Sequence, residues 1–389
     1  MSDNDTTRTT RRATLKYGAT AAAGLGLAGC SEFAEQAGSN GTPTGTGSST
    51  VTMEPMGTVA FDSVPETWMA YFSTYGDMGI ALGQADGLEA LIFSENWPDQ
   101  LYDSLPGVDV DIPGTRQLMG ESGIDKEVFY ELECDVHLFD PNFIQVLDDS
   151  WTDEDLDDIA TNVGPIVGNQ IRRRGDDWHD YRYYSLYEAF EIIARVFQER
   201  ERYEAIKTVH DEFISSLQAD LPPEDERPDI GLVSVNSNFE DGSFYTYPIG
   251  SEGNGKKQYR DLGINDAFAE EIDGGYAQWD YEQLLEVDPD ALVFSYGFSH
   301  VSRAEFEDRM EQMRADDVGS RLSAVQNDRL YRGGTAYQGP VLNLLQTEAA
   351  AKQFYPDQFG AWNGLETLED ADAQLFDHQR VADIINGDI

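Results

Sequence analysis

Short apolar runs bounded by turn residues punctuate the chain at Val59–Phe61, Ala90–Phe93, Ile230–Val235 and Arg329–Arg332, and each reads as a buried strand. Helical spacing fills the intervals. The longest such stretch runs from Tyr184 to Leu221 without Gly or Pro until Pro222-Pro223. Leu186, Phe190, Ile193 and Phe197 share one face, and Ile206, Val209, Phe213, Leu217 and Leu221 resume the pattern beyond a charged patch. The spacing predicts a shorter helix and then a long one from about Arg200 to Leu221. One segment is repeated: Asp125 to Phe139 aligns without gaps on Asp280 to Phe294, with Glu127 matching Glu282 and Asp135 matching Asp290. Each copy reads as a short helix with Asp as N-cap and Glu in its first turn, then an acidic turn, then a buried strand. A duplicated helix–strand unit implies an α/β fold of two similar lobes, with the long helical stretch between them.

The N-terminus follows a different pattern. Arg8, Arg11, Arg12 and Lys16 precede a Gly-rich apolar run from Tyr17 to Ala28, too short to span a membrane. Thr10-Arg11-Arg12-Ala13-Thr14-Leu15-Lys16 resembles a twin-arginine export signal, and Leu27-Ala28-Gly29-Cys30 resembles a lipoprotein cleavage site. Expected, therefore, are a signal peptide over 1–29, a lipid on Cys30 and a flexible tether over 30–50, leaving the protein anchored on the extracellular face of the cell membrane. The rest divides into a first lobe at 51–184, connecting helices at 185–221 and a second lobe at 222–389. Composition sharpens this: 26 Lys+Arg against 73 Asp+Glu give a net charge of -47. With ordinary aromatic content, that balance points to a protein adapted to molar salt in a halophilic archaeon, and it argues against a nucleic-acid partner. Of the two cysteines, Cys30 is committed to lipid, so Cys134 has no disulfide partner.

This layout resembles a known family, the substrate-binding lipoproteins of ABC importers for iron-siderophore complexes, cobalamin and haem, and the resemblance implies two similar α/β lobes joined by a long rigid helix, with the ligand cleft between the lobes. The resemblance covers about Val59 to Phe359. It is most specific in the second lobe, at Tyr259 to Ala267, Trp279 to Asp290, Leu322 to Tyr331 and Tyr355-Pro356-Asp357-Gln358-Phe359. The first lobe departs from it, since Asp62 to Trp68 replaces the family's usual opening alternation, and the loops at Asn96-Trp97-Pro98 and Asp140 to Phe143 carry no familiar ligand signature. The resemblance implies a monomeric receptor that hands a small-molecule iron chelate to a permease and its ATPase. It also implies one exposed acid per lobe docking to permease arginines, which the repeat assigns to Glu127 and Glu282, with Glu131 and Glu286 as the next candidates. No resident cofactor is implied, iron being part of the cargo.

Ligand residues are expected on loops at strand carboxyl ends, after Phe61, Phe93, Phe139, Val235, Phe294 and Arg332. Aromatics gather there, among them Trp68, Trp97, Trp178, Tyr245, Tyr247, Tyr296 and Tyr337. Cations are scarce enough for position to inform. Arg172-Arg173-Arg174 is the main cluster, Lys256, Lys257 and Arg260 a second and Arg332 a third. Guanidinium groups pair bidentately with carboxylate or catecholate oxygens, which suits an anionic ferric chelate, although the same arginines can neutralise Asp176 and Asp177. Five scattered histidines argue against a His-rich metal site, and whether the protein touches metal directly is unknown; ferric binding through Tyr phenolates with His179 or His300 stays open. An extracellular enzyme is the alternative class. It is disfavoured because no nucleophile elbow, phosphate loop, paired-His helix or CxxC occurs.

Overall fold

The computed structural model describes Ser48–Ile389 except residues 111, 113, 121 and 122. The signal segment and Cys30 lie outside the described residues. The tether, drawn to Thr50, gives way two residues sooner, because Ser49–Met53 forms strand β1 in a hairpin with β2, Gly57–Phe61. The expected strand at Val59–Phe61 is present, yet it belongs to this separate hairpin and not to the lobe sheet.

The first lobe is built on β3 (Trp68–Ala70), followed by α1 (Ser73–Ala81), β4 (Leu88–Leu91) and β5 (Arg116–Gln117). A small hairpin of β6 (Met119–Gly120) and β7 (Gly123–Ile124) leads to α2 (Lys126–Leu132) and β8 (Val136–Leu138). Helices α3 (Pro141–Leu147) and α4 (Asp153–Asn162) complete it. Its sheet is parallel in the order β5-β4-β3-β8. Two helices follow, α5 (Leu186–Val196), opened by a Ser185–Glu188 capping box, and α6 (Arg200–Asp220). At 1.5 Å per residue the 21 residues of α6 span ~31 Å.

The second lobe contains β9 (Asp229–Ser234), β10 (Phe244–Tyr247), α7 (Lys257–Asp261), β11 (Asn265–Asp266), β12 (Ala277–Trp279), α8 (Tyr281–Val287), β13 (Ala291–Ser295), α9 (Arg303–Ala315), α10 (Ser323–Gln326) and β14 (Leu330–Arg332). Its sheet is mixed, β12-β10-β9-β13-β14, with β10 antiparallel and β13 and β14 parallel to β9. Successive residues of a strand face opposite sides. Ile230, Leu232, Ala291 and Val293 accordingly join the core shared with the first lobe, while Val233, Val235, Leu292 and Phe294 form a separate core beneath α8, α9 and α10.

The chain then turns back. Helix α11 (Pro340–Phe354) packs on α1 and α7, and after α12 (Pro356–Phe359) and α13 (Glu366–Glu369), α14 (His378–Asn386) lies on α6. Arg202 on α6 donates to Ile384 O at 3.0 Å and to Leu82 O at 2.8 Å, fastening α14 to the first lobe. The second-lobe boundary at 222–389 therefore runs too far, because the amphipathic α14 finds its apolar partner on the first-lobe end of α6.

The repeat is reproduced in detail. Asp125 and Asp280 cap α2 and α8 through their side chains, and both helices end on a left-handed residue, Glu133 and Asp288, each at φ 47. One turn further, Asp135 accepts from the Thr67 amide (3.0 Å) and Asp290 from the Asp229 amide (3.0 Å), so each carboxylate anchors the start of the neighbouring central strand.

Candidate functional site

Between the lobes, against the carboxyl ends of β9, β13 and β14, lies a cavity of about 660 Å³. Leu232, Tyr247, Ser295, Tyr296 and Thr335 form its second-lobe wall, and the first lobe contributes the single segment Arg172–Asp176. That segment is docked by backbone hydrogen bonds, Asn254 N to Ile171 O and Gly255 N to Arg172 O, both 2.8 Å. Gly253 makes the approach feasible, with φ +108 and no side chain to strike the Arg172–Arg173 backbone. Beneath the wall is a buried amide network: Thr335 N donates to Gln346 Oε1 at 2.6 Å, and Gln346 and Asn343 both donate to Gln338 Oε1, at 2.7 and 3.1 Å. These bonds hold the wall in place, although Asn343 Oδ1 is left without a partner in the network.

The three arginines differ. Arg173 pairs with Asp176 (2.8 Å) and Arg174 with Glu252 (2.9 Å). Arg172 makes no ion pair among the described residues. It is half-buried, its carbon Cζ sits 4.9 Å over the Tyr337 ring, and its Nε is sealed from solvent with no acceptor. A buried guanidinium donor left unsatisfied is costly and calls for an explanation. Lys256, also on the cavity wall, is spent on the Pro248 carbonyl and on Ser251 Oγ (3.1 Å). Burial, helped by Arg172 and Arg260 against Asp266, pulls its ammonium down to about 8. Arg260 is taken up by the Ser251 carbonyl (2.8 Å), Lys257 by Asp261, and Arg332 by the Gly297 and Val301 carbonyls at 2.7 and 2.8 Å.

Of the expected aromatics, Tyr247 and Tyr296 line the cavity, whereas Tyr337 does not line it and lies beneath Arg172, stacked on Phe72 at 3.9 Å, with its carbonyl accepting from Ser73 Oγ at 2.6 Å. Tyr245 is exposed and does not line the cavity; its ring lies 6.2 Å from that of Tyr276, which does. Trp178 packs on Phe143 in the first lobe (5.6 Å) and does not line the cavity. Trp68 and Trp97 require correction. Trp68 opens β3, is fully buried against Phe197 and donates to Gln84 O at 2.9 Å. Trp97 is 4% exposed and fills the space left by the absent side chain of Gly76. Both are core residues, and the first-lobe loop that meets the second lobe, at Tyr337, follows Ala70, not Phe61. His179 sits among the rings of Trp178, Tyr181 and Tyr183, and neither it nor His300 lines the cavity. No group of three or more His, Cys, Asp or Glu among the described residues could hold a metal. Sequence reasoning missed Tyr276 and the amides of α11. The available signals were the flanking Gly274-Gly275 and the recurrence of Asn343, Gln346 and Gln353 in a helix that also carries Thr347, Glu348 and Lys352 between its apolar residues.

Glu127 and Glu282 are exposed in the first turns of α2 and α8. Glu131 pairs with Arg116 at 2.9 Å, which leaves Glu127 the freer acid on α2.

A search of the curated proteins finds no match. The family profile described as periplasmic binding protein matches residues 138–337, from β8 to the loop after β14. Among solved structures, a periplasmic binding protein from Veillonella parvula aligns with TM-score 0.54 at 15% identity, over 79% of this chain and 97% of its own. Helicobacter pylori CeuE with Ni(II) bound aligns at 0.55 and 10%, over 80% and 90%. Staphylococcus aureus SirA complexed with staphyloferrin B aligns at 0.52 and 13%, over 78% and 98%. At these identities the likeness is one of fold.

Proposed function

The chain belongs to the periplasmic binding protein family, and from that premise we propose that it is the extracytoplasmic receptor of an ABC importer, capturing an anionic iron chelate and passing it to the permease. The observation that carries the chemistry is Arg172, a half-buried guanidinium that lines an interlobe cavity walled by tyrosines and makes no ion pair among the described residues. A ligand carboxylate or catecholate oxygen in the cavity would give this guanidinium the anionic partner it lacks. Solved relatives of the same fold include SirA with staphyloferrin B and the Bacillus subtilis triscatecholate binder FeuA with ferri-bacillibactin, which makes such chelates the first probes. Binding and release, without turnover, is the proposed activity.

The proposal extends to the N-terminus: export by the twin-arginine route, a lipid on Cys30, and a monomer held at the outer face of a haloarchaeal membrane. No helix of the described residues is long and apolar enough to cross a membrane. Cobalamin or haem is the alternative cargo for the same cavity.

The test is tryptophan-fluorescence quenching of the full chain in molar NaCl against ferric bacillibactin, staphyloferrin B, a hydroxamate, citrate, haem and cobalamin. Saturable quenching by one ferric chelate and not by its iron-free form is expected, and Arg172→Gln should weaken it about 10- to 100-fold, the worth of a charge-assisted hydrogen bond. Response to cobalamin or haem alone would replace the cargo, and silence across the panel would defeat the transport reading.

A further inference from the structure

The lobes meet at a second seam, which His300 joins to the Tyr296 ring. There the turn after β4, Ser94–Asn96, and the following 3-10 helix Asp99–Ser104 face the turn after β13. His300 lies in the middle. Its Nε2 donates to Asn96 Oδ1 across the seam at 2.8 Å, and its Nδ1 accepts from Asn236 Nδ2 at 2.6 Å on its own lobe. Beside it, Gln100 Nε2 donates to the Phe298 carbonyl. Asn96 is 8% exposed, so its oxygen has little water to turn to if the imidazole is removed.

The same imidazole stacks on the Tyr296 ring, with centroids 4.7 Å apart and planes at 13°. Tyr296 occupies the left-handed region at φ 61, which bulky residues avoid unless their surroundings over-determine it. Its amide donates to Gly334 O (2.9 Å), and its carbonyl accepts from Ser299 N (3.1 Å) and His300 N (2.9 Å). The aromatic wall of the cavity is thus presented by a tight one-turn segment whose last residue grips the other lobe.

We propose that His300 is a positioning residue of the binding site: one side chain pins the Asn96 turn of the first lobe to the second lobe and backs the Tyr296 ring, so that lobe seam and cavity wall are set together. The inference rests on the receptor reading for what the cavity holds, but the pin itself does not. Ligand contact is left to Tyr296; His300 acts through it. Its two functions are separable, because Gln can keep a donor toward Asn96 without the stacked ring, and Phe can keep the ring without the donor.

The experiment has two arms, both on the full chain in molar NaCl. In the first, without ligand, amide hydrogen exchange is followed in 94–104 for wild type, His300→Ala, Asn96→Ala and the double variant. Loss of one cross-lobe hydrogen bond should speed exchange there about five- to tenfold, the double variant adding nothing to either single change, and His300→Gln should restore protection. Wild-type exchange in His300→Ala, or fully additive effects, would overturn the pin. In the second arm, dissociation of ferric staphyloferrin B and ferri-bacillibactin is timed by fluorescence. His300→Ala should release the bound probe about tenfold faster with association and melting temperature near wild type, and His300→Phe and His300→Gln should each recover part of the loss. Unchanged dissociation would overturn the link to the cavity wall. Failure of both probes to bind wild type would count against the receptor reading, while the exchange arm still decides the pin.

Discussion

The carboxylate of Asp77 is fully buried on α1, where it accepts the amides of Val341 (2.9 Å) and Leu342 (3.0 Å) at the start of α11 and the hydroxyl of Tyr102. It therefore caps a helix that enters from the second lobe, and the fit is close: a Cβ on Gly339 would lie 2.5 Å from its Oδ2. Burial pushes the carboxyl up from 3.8 to about 7, outweighing the Tyr102 and backbone donors that favour the anion. Because the folded pKa is raised, the folded state binds the extra proton between those two values, and stability falls as pH climbs from about 4 to about 7. Asp77→Asn removes the titration while leaving an oxygen to accept from α11. Melting temperature measured across that range should fall less steeply with pH for the variant than for wild type, by up to one proton's worth of slope. Parallel profiles would show that Asp77 stays ionised in the fold.

At the scale of elements, the duplicated unit was the most legible feature, because its information is local: an acidic cap, an apolar face of two turns and a following apolar run determine helix, turn and strand without reference to the rest of the chain. The helix pair α5 and α6 was legible for the same reason. Strand β3 was not. Its three residues are all buried, so they show no alternation, and they run straight into the buried α1. Val59–Phe61 alternates more cleanly and drew the strand assignment, although it pairs only with β1. That one misplacement explains why Trp68 was expected at the cleft. Arg172 and Tyr296 were legible as chemistry because a chain this acidic has few cations and its aromatics fall after strands; their meeting in one cavity depends on how the lobes dock, which no local pattern encodes. Matching positions on α2 and α8 suit a docking role, with an exposed Glu in each first turn. Charge reversal of Glu127 and Glu282 together should abolish uptake by cells while leaving chelate affinity unchanged, since neither side chain touches the cavity. Normal uptake by the double variant would remove both acids from the permease interface.

Taken whole, the molecule offers little room for a hinge. Helix α6 is fastened to the first lobe by Arg202 and reaches the second at Gln218, whose side-chain amide donates to the Asp261 carbonyl at 3.3 Å. Helix α11 is wedged between α1 and α7, α14 lies along α6, and one hydrophobic core runs from the first sheet through these helices to one face of the second. Closure by many degrees would have to bend helices or slide a packed core, whereas receptors with stranded linkers need only change a few backbone angles. The acidic surface does not alter this conclusion in molar salt, where screening acts within about 3 Å and the net charge of -47 exerts no long-range repulsion between lobes. Small-angle scattering of the full chain in molar NaCl, with and without a saturating ferric chelate, should therefore give superimposable curves, with binding expressed as slower amide exchange along the two seams. A resolvable compaction would mean that the seams at Arg172 and Asn96 part in the free protein, and would transfer control of ligand release from side chains at the cavity to opening of the cleft itself.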